Sequence, residues 1–219
     1  MPAFEVDGRE ASWVRTGQLR NRPLFVFAHG AGAPMTSPFM EQVADGLVER
    51  DVCVVRFQFP YMEQIVQTGA RRGPDPARRL LATWRAVLDV ASKMRGRGAI
   101  VIGGKSMGGR YASMLAAEGG APEARACVYF GYPLHPPGRP EKLRADHLAR
   151  VPVPQLFVQG TKDKLCEPKL LKRALASIPA ARVVSVKGAD HSLSVSRKDP
   201  MKGSDAWLDE AALFIREHA

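Results

Sequence analysis

The chain has 219 residues, of which 45% are hydrophobic and 25% are charged. These proportions are ordinary for a globular protein, and they exclude a fibrous, a disordered or a disulfide-stapled chain. The 32 basic residues exceed the 22 acidic ones and give a net charge of +10. They are scattered, however, and no zinc-finger spacing or aromatic RNA-binding signature accompanies them, so we expect no nucleic-acid partner.

The N-terminal segment and the cysteines indicate a compartment. Residues 1–21 are polar and include three acidic side chains, unlike a signal or transit peptide. No stretch approaches the roughly 18 consecutive apolar residues of a membrane span. The three cysteines lack metal-ligand spacing. The sequence therefore predicts a reduced, cytoplasmic protein without a structural metal.

Six short apolar runs, rich in β-branched and aromatic residues, predict strands that are buried on both faces. In chain order they occupy residues 24–28, 52–55, 99–102, 126–130, 154–158 and 182–186. The segment 4–6 offers a seventh strand.

Amphipathic segments with apolar residues at helical spacing separate these runs. Two of them begin at Ser37-Pro38 and Asp75-Pro76, where a capping residue precedes a proline at the first helical position. Alternating strands and helices predict one α/β domain, residues 1–219. Its mostly parallel sheet would have six or seven strands, with helices on both faces.

Residues able to do chemistry follow four of the predicted strands. A Gly-rich loop, 29–33, follows the first run, and Ser106, Asp163 and His191 follow the third, fifth and sixth. In an open parallel sheet, ligands bind beyond the carboxyl ends of the strands. We therefore expect these residues to converge at one edge of the sheet.

The segment Gly104–Gly108 reads Gly-Lys-Ser-Met-Gly and matches G-x-S-x-G between a strand and a helix. The motif predicts Ser106 as a nucleophile on a sharp turn, with the backbone N–H of Met107 donating to an oxyanion. Gly-Lys-Ser also ends the phosphate-binding P-loop. The first glycine of that motif would fall on Ala99, within a strand, so we exclude a nucleotide site.

A serine hydroxyl needs a base, and the base needs an orienting partner. Ser106, Asp163 and His191 follow one another in the chain order that accompanies G-x-S-x-G. Asp190 is a rival acid, but we expect its side chain to point away from the ring of the adjoining histidine. His29 is expected to brace its loop.

The second oxyanion donor would come from the glycine-rich loop. The backbone N–H of Ala31 or Gly32 is predicted to fill that role, since glycine lets the backbone approach a ligand closely.

The chain resembles the α/β-hydrolase superfamily over essentially its whole length. The resemblance is carried by Gly103–Arg110, His29–Ala33 and Phe59–Met62, and the chain looks like the small, capless, dienelactone-hydrolase-like predicted hydrolases. It implies a serine hydrolase that cleaves a carboxylic ester or thioester of a small molecule, through a Ser-His-Asp triad and an acyl-enzyme, without metal or organic cofactor. Dienelactone hydrolase itself uses a cysteine nucleophile, so its substrate is not carried over.

The surroundings of the site follow from segment lengths. Only about twenty residues separate Tyr132 from Val153, which leaves no room for a cap domain and predicts an open, shallow site. We expect the loop 61–75 to overhang it, with Tyr61, Met62 and Ile65 as candidates for an apolar wall. Arg71 and Arg72 are able to bind an acidic group, but we expect them to be solvated. The candidate substrate contacts are His29, Tyr61, Met62, Arg71 and Leu134.

Two alternatives remain open. One is a non-catalytic α/β-hydrolase-like interaction domain, against which the complete triad argues. The other is acyltransferase or perhydrolase chemistry on the same triad, because the outcome depends on which acceptor reaches the acyl-enzyme.

Overall fold

The computed structural model describes residues 1–196 and 198–219. Eight strands form one sheet: β1 (Ala3–Val6), β2 (Arg9–Thr16), β3 (Leu24–Ala28), β4 (Cys53–Phe57), β5 (Ile100–Lys105), β6 (Ala124–Phe130), β7 (Gln155–Gly160) and β8 (Ala181–Val186). Their order across the sheet is β1-β2-β4-β3-β5-β6-β7-β8. The last six in that order are mutually parallel, whereas β1 and β2 are antiparallel to their neighbours.

Six α-helices accompany the sheet: α1 (Pro38–Val48), α2 (Pro60–Thr68), α3 (Ala77–Met94), α4 (Met107–Ala117), α5 (Pro168–Leu175) and α6 (Ser204–Glu217). Within the described ranges, no helix has the length and hydrophobicity that crossing a bilayer requires. Between β6 and β7 the chain forms a single 3-10 turn, Leu148–Arg150. The expected absence of a cap domain is confirmed.

The sheet is mostly parallel, as expected, but it has eight strands and not six or seven. The strand missed by the sequence analysis is β2, whose charged and polar residues interrupt any apolar run. It forms a hairpin with β1 through the two-residue turn Asp7-Gly8, and both residues have positive φ. Asp-Gly is a strong signal for such a turn.

Helices cover both faces of the sheet. One face packs against α3, α4 and α5, and the other packs against α1 and α6. Along β3, Leu24, Val26 and Ala28 join the first cluster, while Phe25 and Phe27 join the second, and all five are buried. Burial on both faces explains why the predicted strands lack polar alternation.

The segment expected to be an overhanging loop is largely helical. Helix α2 begins at Pro60, where proline occupies the first turn. Asp75 does not cap α3. Instead, its carboxylate accepts the N–H of Tyr61 at 2.9 Å and pairs with Arg79 at 3.0 Å. Asp75 therefore fixes α2 against the start of α3.

Trp84 of α3 is fully buried and meets the ring of Phe57 edge-on, with the centroids 4.8 Å apart. We predict that Trp84→Ala lowers the free energy of unfolding by about 3–5 kcal/mol, since it removes a large core side chain and leaves a cavity. Urea denaturation measures this loss. The control Val66→Ala alters a side chain that is 57% exposed and should change stability by less than about 0.5 kcal/mol. Equal losses would contradict the prediction.

Candidate active site

Ser106 occupies the turn between β5 and α4 with φ of 50° and ψ of −115°. Residues with a side chain rarely adopt this conformation. A Cβ on Gly104 or on Gly108 would lie 2.6 Å from the carbonyl oxygen of Ala28. The close passage of β3 and α4 thus requires both glycines of the motif.

The structure brings the three predicted residues Ser106, His191 and Asp163 into one hydrogen-bonded chain. Nε2 of His191 lies 2.8 Å from the hydroxyl oxygen of Ser106, and Nδ1 lies 2.8 Å from a carboxylate oxygen of Asp163. Because the carboxylate accepts, Nδ1 carries the ring proton and Nε2 is left to accept the serine proton. This is the arrangement that general-base activation of a serine needs.

Asp163 is buried and held by more than the histidine. One carboxylate oxygen accepts the N–H of Leu165 at 2.7 Å, and the other accepts the side-chain amide of Gln159 at 2.5 Å. Gln159 is oriented in turn because its own oxygen accepts the N–H of Tyr132 at 2.8 Å. The sequence analysis missed Gln159, and its place at the end of β7, four residues before the acid, was the only signal.

Asp190 does not contact the ring of His191. Its carboxylate accepts the N–H groups of Ser192 at 2.8 Å and Ser194 at 3.3 Å. It therefore stabilises the turn that carries the histidine, and its side chain is exposed.

His29 is fully buried beneath the glycine-rich loop. The N–H of Phe59 donates to its Nε2 at 3.1 Å, so the proton is on Nδ1, which lies 2.7 Å from the carbonyl oxygen of Gly30. Burial lowers the pKa of His29 to about 4 and keeps the ring neutral. The geometry makes His29 a brace for the loop and leaves it no surface for substrate.

Tyr61 lies behind the same loop. Its hydroxyl donates to the carbonyl oxygen of Ala31 at 3.0 Å, and burial raises its pKa. Tyr61 and Met62 do not form the expected apolar wall, because both are buried in the core and neither lines the cavity at Ser106. Leu134 is buried as well. Arg71 lies exposed between α2 and α3.

The hydroxyl of Ser106 faces a cavity of about 410 Å³. The glycine-rich loop, the start of α1 and the loop that carries His191 all contribute to its lining. The cavity lining comprises Gly30, Ala31, Gly32, Ala33, Ser37, Phe39, Met40, Lys105, Ser106, His191 and Ser192. No motif marked the α1 residues, since only long-range packing brings them here.

The candidate oxyanion donors come from two places in the site. Ala31 and Gly32 line the cavity. Met107 is the first residue of α4, where the backbone N–H has no partner within the helix.

A second cavity, of about 480 Å³, lies between α5 and β8. Its lining is mainly apolar, with Leu171, Leu175 and Val183 among its residues, and it contains no member of the Ser106 chain. The convergence of reactive groups, and not volume, therefore identifies the candidate active site.

A second serine–histidine pair lies inside the protein. The hydroxyl oxygen of Ser113 is 2.7 Å from Nε2 of His147 and 3.2 Å from the hydroxyl of Tyr132. Ser113 is fully buried, and in the described part of the chain no carboxylate hydrogen-bonds to His147. The pair therefore braces α4 against the segment between β6 and β7.

The chain belongs to the alpha/beta hydrolase domain family, whose sequence model matches residues 21–219. It is a small hydrolase of this family without a cap domain. Est1E from Butyrivibrio proteoclasticus, with ferulic acid bound, aligns at a TM-score of 0.76 and 16% identity over 98% of each chain. Dienelactone hydrolase from Anabaena variabilis aligns at a TM-score of 0.76 and 20% identity over 99% of this chain and 96% of that one.

The esterase domain of a Rhodothermus marinus protein aligns at a TM-score of 0.71 and 17% identity, over 99% of this chain and 97% of that one. At these identities the three structures show a common fold.

The buried, neutral His29 makes stability depend on pH. Its pKa is about 4 in the folded protein and 6.5 ordinarily, so the unfolded chain binds the proton first as the pH falls. As the pH falls from about 6.5 to about 4, His29 therefore lowers the free energy of unfolding by on the order of 3 kcal/mol. We predict that His29→Gln, compared with wild type by urea denaturation at about pH 7 and 4.5, reduces this loss.

His147 also has a pKa lowered to about 4 by burial, so part of the acid sensitivity should persist in His29→Gln. His218→Gln, at the C-terminus, is the matched control and should retain the wild-type dependence. Identical pH dependence in wild type and His29→Gln would contradict the assignment of His29 as a buried neutral brace.

Proposed function

We propose that this hydrolase cleaves a carboxylic ester or thioester of a small molecule through an acyl-enzyme on Ser106. The observation that carries the proposal is the pair of 2.8 Å contacts joining Ser106 to His191 and His191 to Asp163. A strained turn at Ser106, an open cavity and a glycine-rich loop beside it support the proposal. We also propose that residues 1–219 act as one catalytic domain, since the β1–β2 hairpin continues the sheet.

In the first half-reaction, Nε2 of His191 takes the proton of Ser106 as its oxygen attacks the carbonyl carbon. Asp163 stabilises the imidazolium that forms. The N–H groups of Met107 and of Ala31 or Gly32 donate to the oxyanion. Losing one such donor costs on the order of 10²–10³ in rate in related reactions.

The imidazolium then gives its proton to the leaving alcohol or thiol, which departs and leaves the acyl-enzyme, and this completes the first half-reaction. Water takes the place of the leaving group. In the second half-reaction, His191 takes a proton from that water as its oxygen attacks the acyl carbon. The imidazolium then returns the proton to the oxygen of Ser106 as the carboxylic acid is released. Every proton and bond in this scheme is handled by the chain and by water, so the mechanism requires no metal or organic cofactor.

The cavity favours an acyl group with apolar surface. Phe39 lines it with a half-buried aromatic ring, and Met40, which is almost fully buried, adds to the lining. A structural relative solved with ferulic acid bound, and another described as an esterase domain, make carboxylic esters the first substrates to test.

We predict that a fluorophosphonate labels the purified protein at Ser106, because only an activated serine reacts with this probe. Mass spectrometry of a proteolytic digest locates the label. Ser106→Ala and His191→Ala should abolish labelling. The matched control is Ser113→Ala, which removes the other histidine-bonded serine and should keep labelling at the wild-type site.

Folded wild-type protein that refuses the label would overturn the proposed hydrolase mechanism. A label on Ser113 would also overturn it, since the reactive pair would then be Ser113 and His147. Circular dichroism of each variant establishes that it is folded.

The two neighbouring acids offer a matched pair of variants. We predict that Asp163→Asn lowers kcat for p-nitrophenyl acetate by on the order of 10⁴, because the amide no longer holds the required ring tautomer. Asp190→Asn should stay within a few-fold of wild type, since an asparagine oxygen can still accept the N–H of Ser192. The reverse ranking, measured by steady-state kinetics, would make Asp190 the orienting acid.

A further inference from the structure

The residue immediately before the nucleophile contacts the histidine loop. Lys105 ends β5, and its ammonium donates a hydrogen bond to the backbone carbonyl oxygen of His191. The ammonium also lies 5.6 Å from the centroid of the Phe39 ring, within cation–π range. Lys105 lines the same cavity as Ser106.

The path of the histidine loop explains why such a contact is available. β8 is an edge strand, and β6 and β7 lie between it and β5. The loop after β8 crosses the ends of both intervening strands. A Cβ on Gly160 would lie 2.4 Å from the carbonyl oxygen of Asp190, and a Cβ on Gly131 would lie 2.6 Å from that of His191.

Gly131 also clears the space for the ammonium. A Cβ there would lie 2.6 Å from Nζ of Lys105, and the residue has φ of 62°, which disfavours any side chain. The absence of a side chain at the end of β6 thus lets the ammonium and the His191 carbonyl meet.

The charge of Lys105 does not stabilise the fold. Burial lowers the pKa of its ammonium to about 8, and Asp163 and Asp190 only partly oppose this. At pH 7 the group is charged in a poorly solvated place, which destabilises the folded protein. A charge held at such a cost beside reacting groups indicates a functional role.

We propose that Lys105 is a positioning residue. It holds the backbone of His191, and thereby keeps the ring at hydrogen-bonding distance from Ser106. The inference rests on the proposed function and adds a residue to it. The hydrogen bond joins the strand that carries the nucleophile directly to the loop that carries the base. Other contacts of the loop, among them Asp163 at the ring and Thr161 at the N–H of Gly188, come from the segment after β7 and do not join it to the nucleophile strand.

Lys105→Met tests this role, because methionine keeps a long side chain beside Phe39 but has neither donor nor charge. We expect the rate of fluorophosphonate labelling, and kcat for p-nitrophenyl acetate, to fall on the order of 10²-fold, as for a small misplacement of reacting groups. KM should stay within a few-fold of wild type.

Lys105→Arg should restore part of the rate, and the exposed control Lys187→Met on the same loop should match wild type.

Stability should change in the opposite direction. The pKa of Lys105 is lower in the folded protein than its ordinary value of 10.5. The unfolded chain therefore binds this proton more tightly, and the resulting destabilisation is full below about pH 8 and vanishes above about pH 10.5. At pH 7, Lys105→Met should melt at the wild-type temperature or higher while being less active, which separates lost positioning from misfolding.

The pH profile gives a further readout. The groups facing the ammonium are Asp163 beyond β7, Asp190 and His191 beyond β8, and the uncharged Phe39 and Gly131. As the pH rises through about 8, wild-type kcat should fall, because the neutral amine donates a weaker hydrogen bond to the carbonyl oxygen of His191 than the ammonium does. Lys105→Arg, which stays charged, should lack that decline.

Gly131→Ala disturbs the same contact from the other side, and it keeps the test open if Lys105→Met does not fold. We expect its loss of rate and that of Lys105→Met not to add in the double variant, because both remove one contact. Hydrogen exchange of residues 187–194, followed by mass spectrometry, should be faster in either single variant. Additive losses with unchanged exchange would overturn the proposal.

The remaining outcomes separate this inference from the proposed function. Wild-type labelling kinetics in Lys105→Met would overturn the positioning role. A rise in KM confined to esters with an anionic acyl group would also overturn it, since Lys105 would then bind substrate. Unlabelled wild type would overturn the proposed function, while faster exchange of residues 187–194 in Lys105→Met would still support the contact.

Discussion

The turn at Ser106 is the constraint around which the site is arranged. A positive φ on a residue with a side chain costs on the order of 1–3 kcal/mol and persists only where its surroundings hold it. Here β5 is hydrogen-bonded to β3 and β6 in the middle of the sheet, and its first five residues are buried. The turn places Ser106 at the cavity beyond the end of β5, and α4 begins at the next residue.

The loop opposite the serine is supported by the core. Ring contacts run from Trp84 to Phe57 at 4.8 Å, from Phe57 to Phe59 at 5.1 Å and from Phe59 to His29 at 5.0 Å. His29 then meets the loop through the carbonyl oxygen of Gly30. Because these rings are fully buried, the position of the loop depends on the packing of α3, far from the reacting atoms.

Local signals in the sequence were enough to predict the parallel strands and the residues that follow them. Ser106, Asp163 and His191 each stand within five residues of the end of an apolar run, so parallel strands bring them to one edge of the sheet. Strand β2 was missed because its polar residues interrupt any apolar run, although Asp7-Gly8 marked its start. Helix α2 was missed although Tyr61 and Ile65 stand at helical spacing and Pro60 marks its start.

Side-chain directions could not be predicted in the same way. The sequence places Tyr61 in a loop at the rim of the site. In the structure Asp75 accepts its N–H, and the side chain is buried in the core. The roles of Phe39 and Lys105 depend on contacts between segments more than thirty residues apart in the chain. The role of Gln159 depends on the rotamer of a side chain near the end of a strand. No local pattern records such contacts.

Two opposite charges meet His191 at different atoms. Asp163 accepts from the ring, and Lys105 donates to the backbone carbonyl. A single contact at Nδ1 would fix the tautomer but would leave the ring free to swing with its loop. A second contact at the backbone removes that freedom, because the ring is then held from both ends of the residue. The carboxylates of Asp163 and Asp190 raise the pKa of Lys105 and partly offset the effect of burial. Asp163 therefore has two effects: it orients the ring of His191, and it helps to keep the ammonium of Lys105 charged.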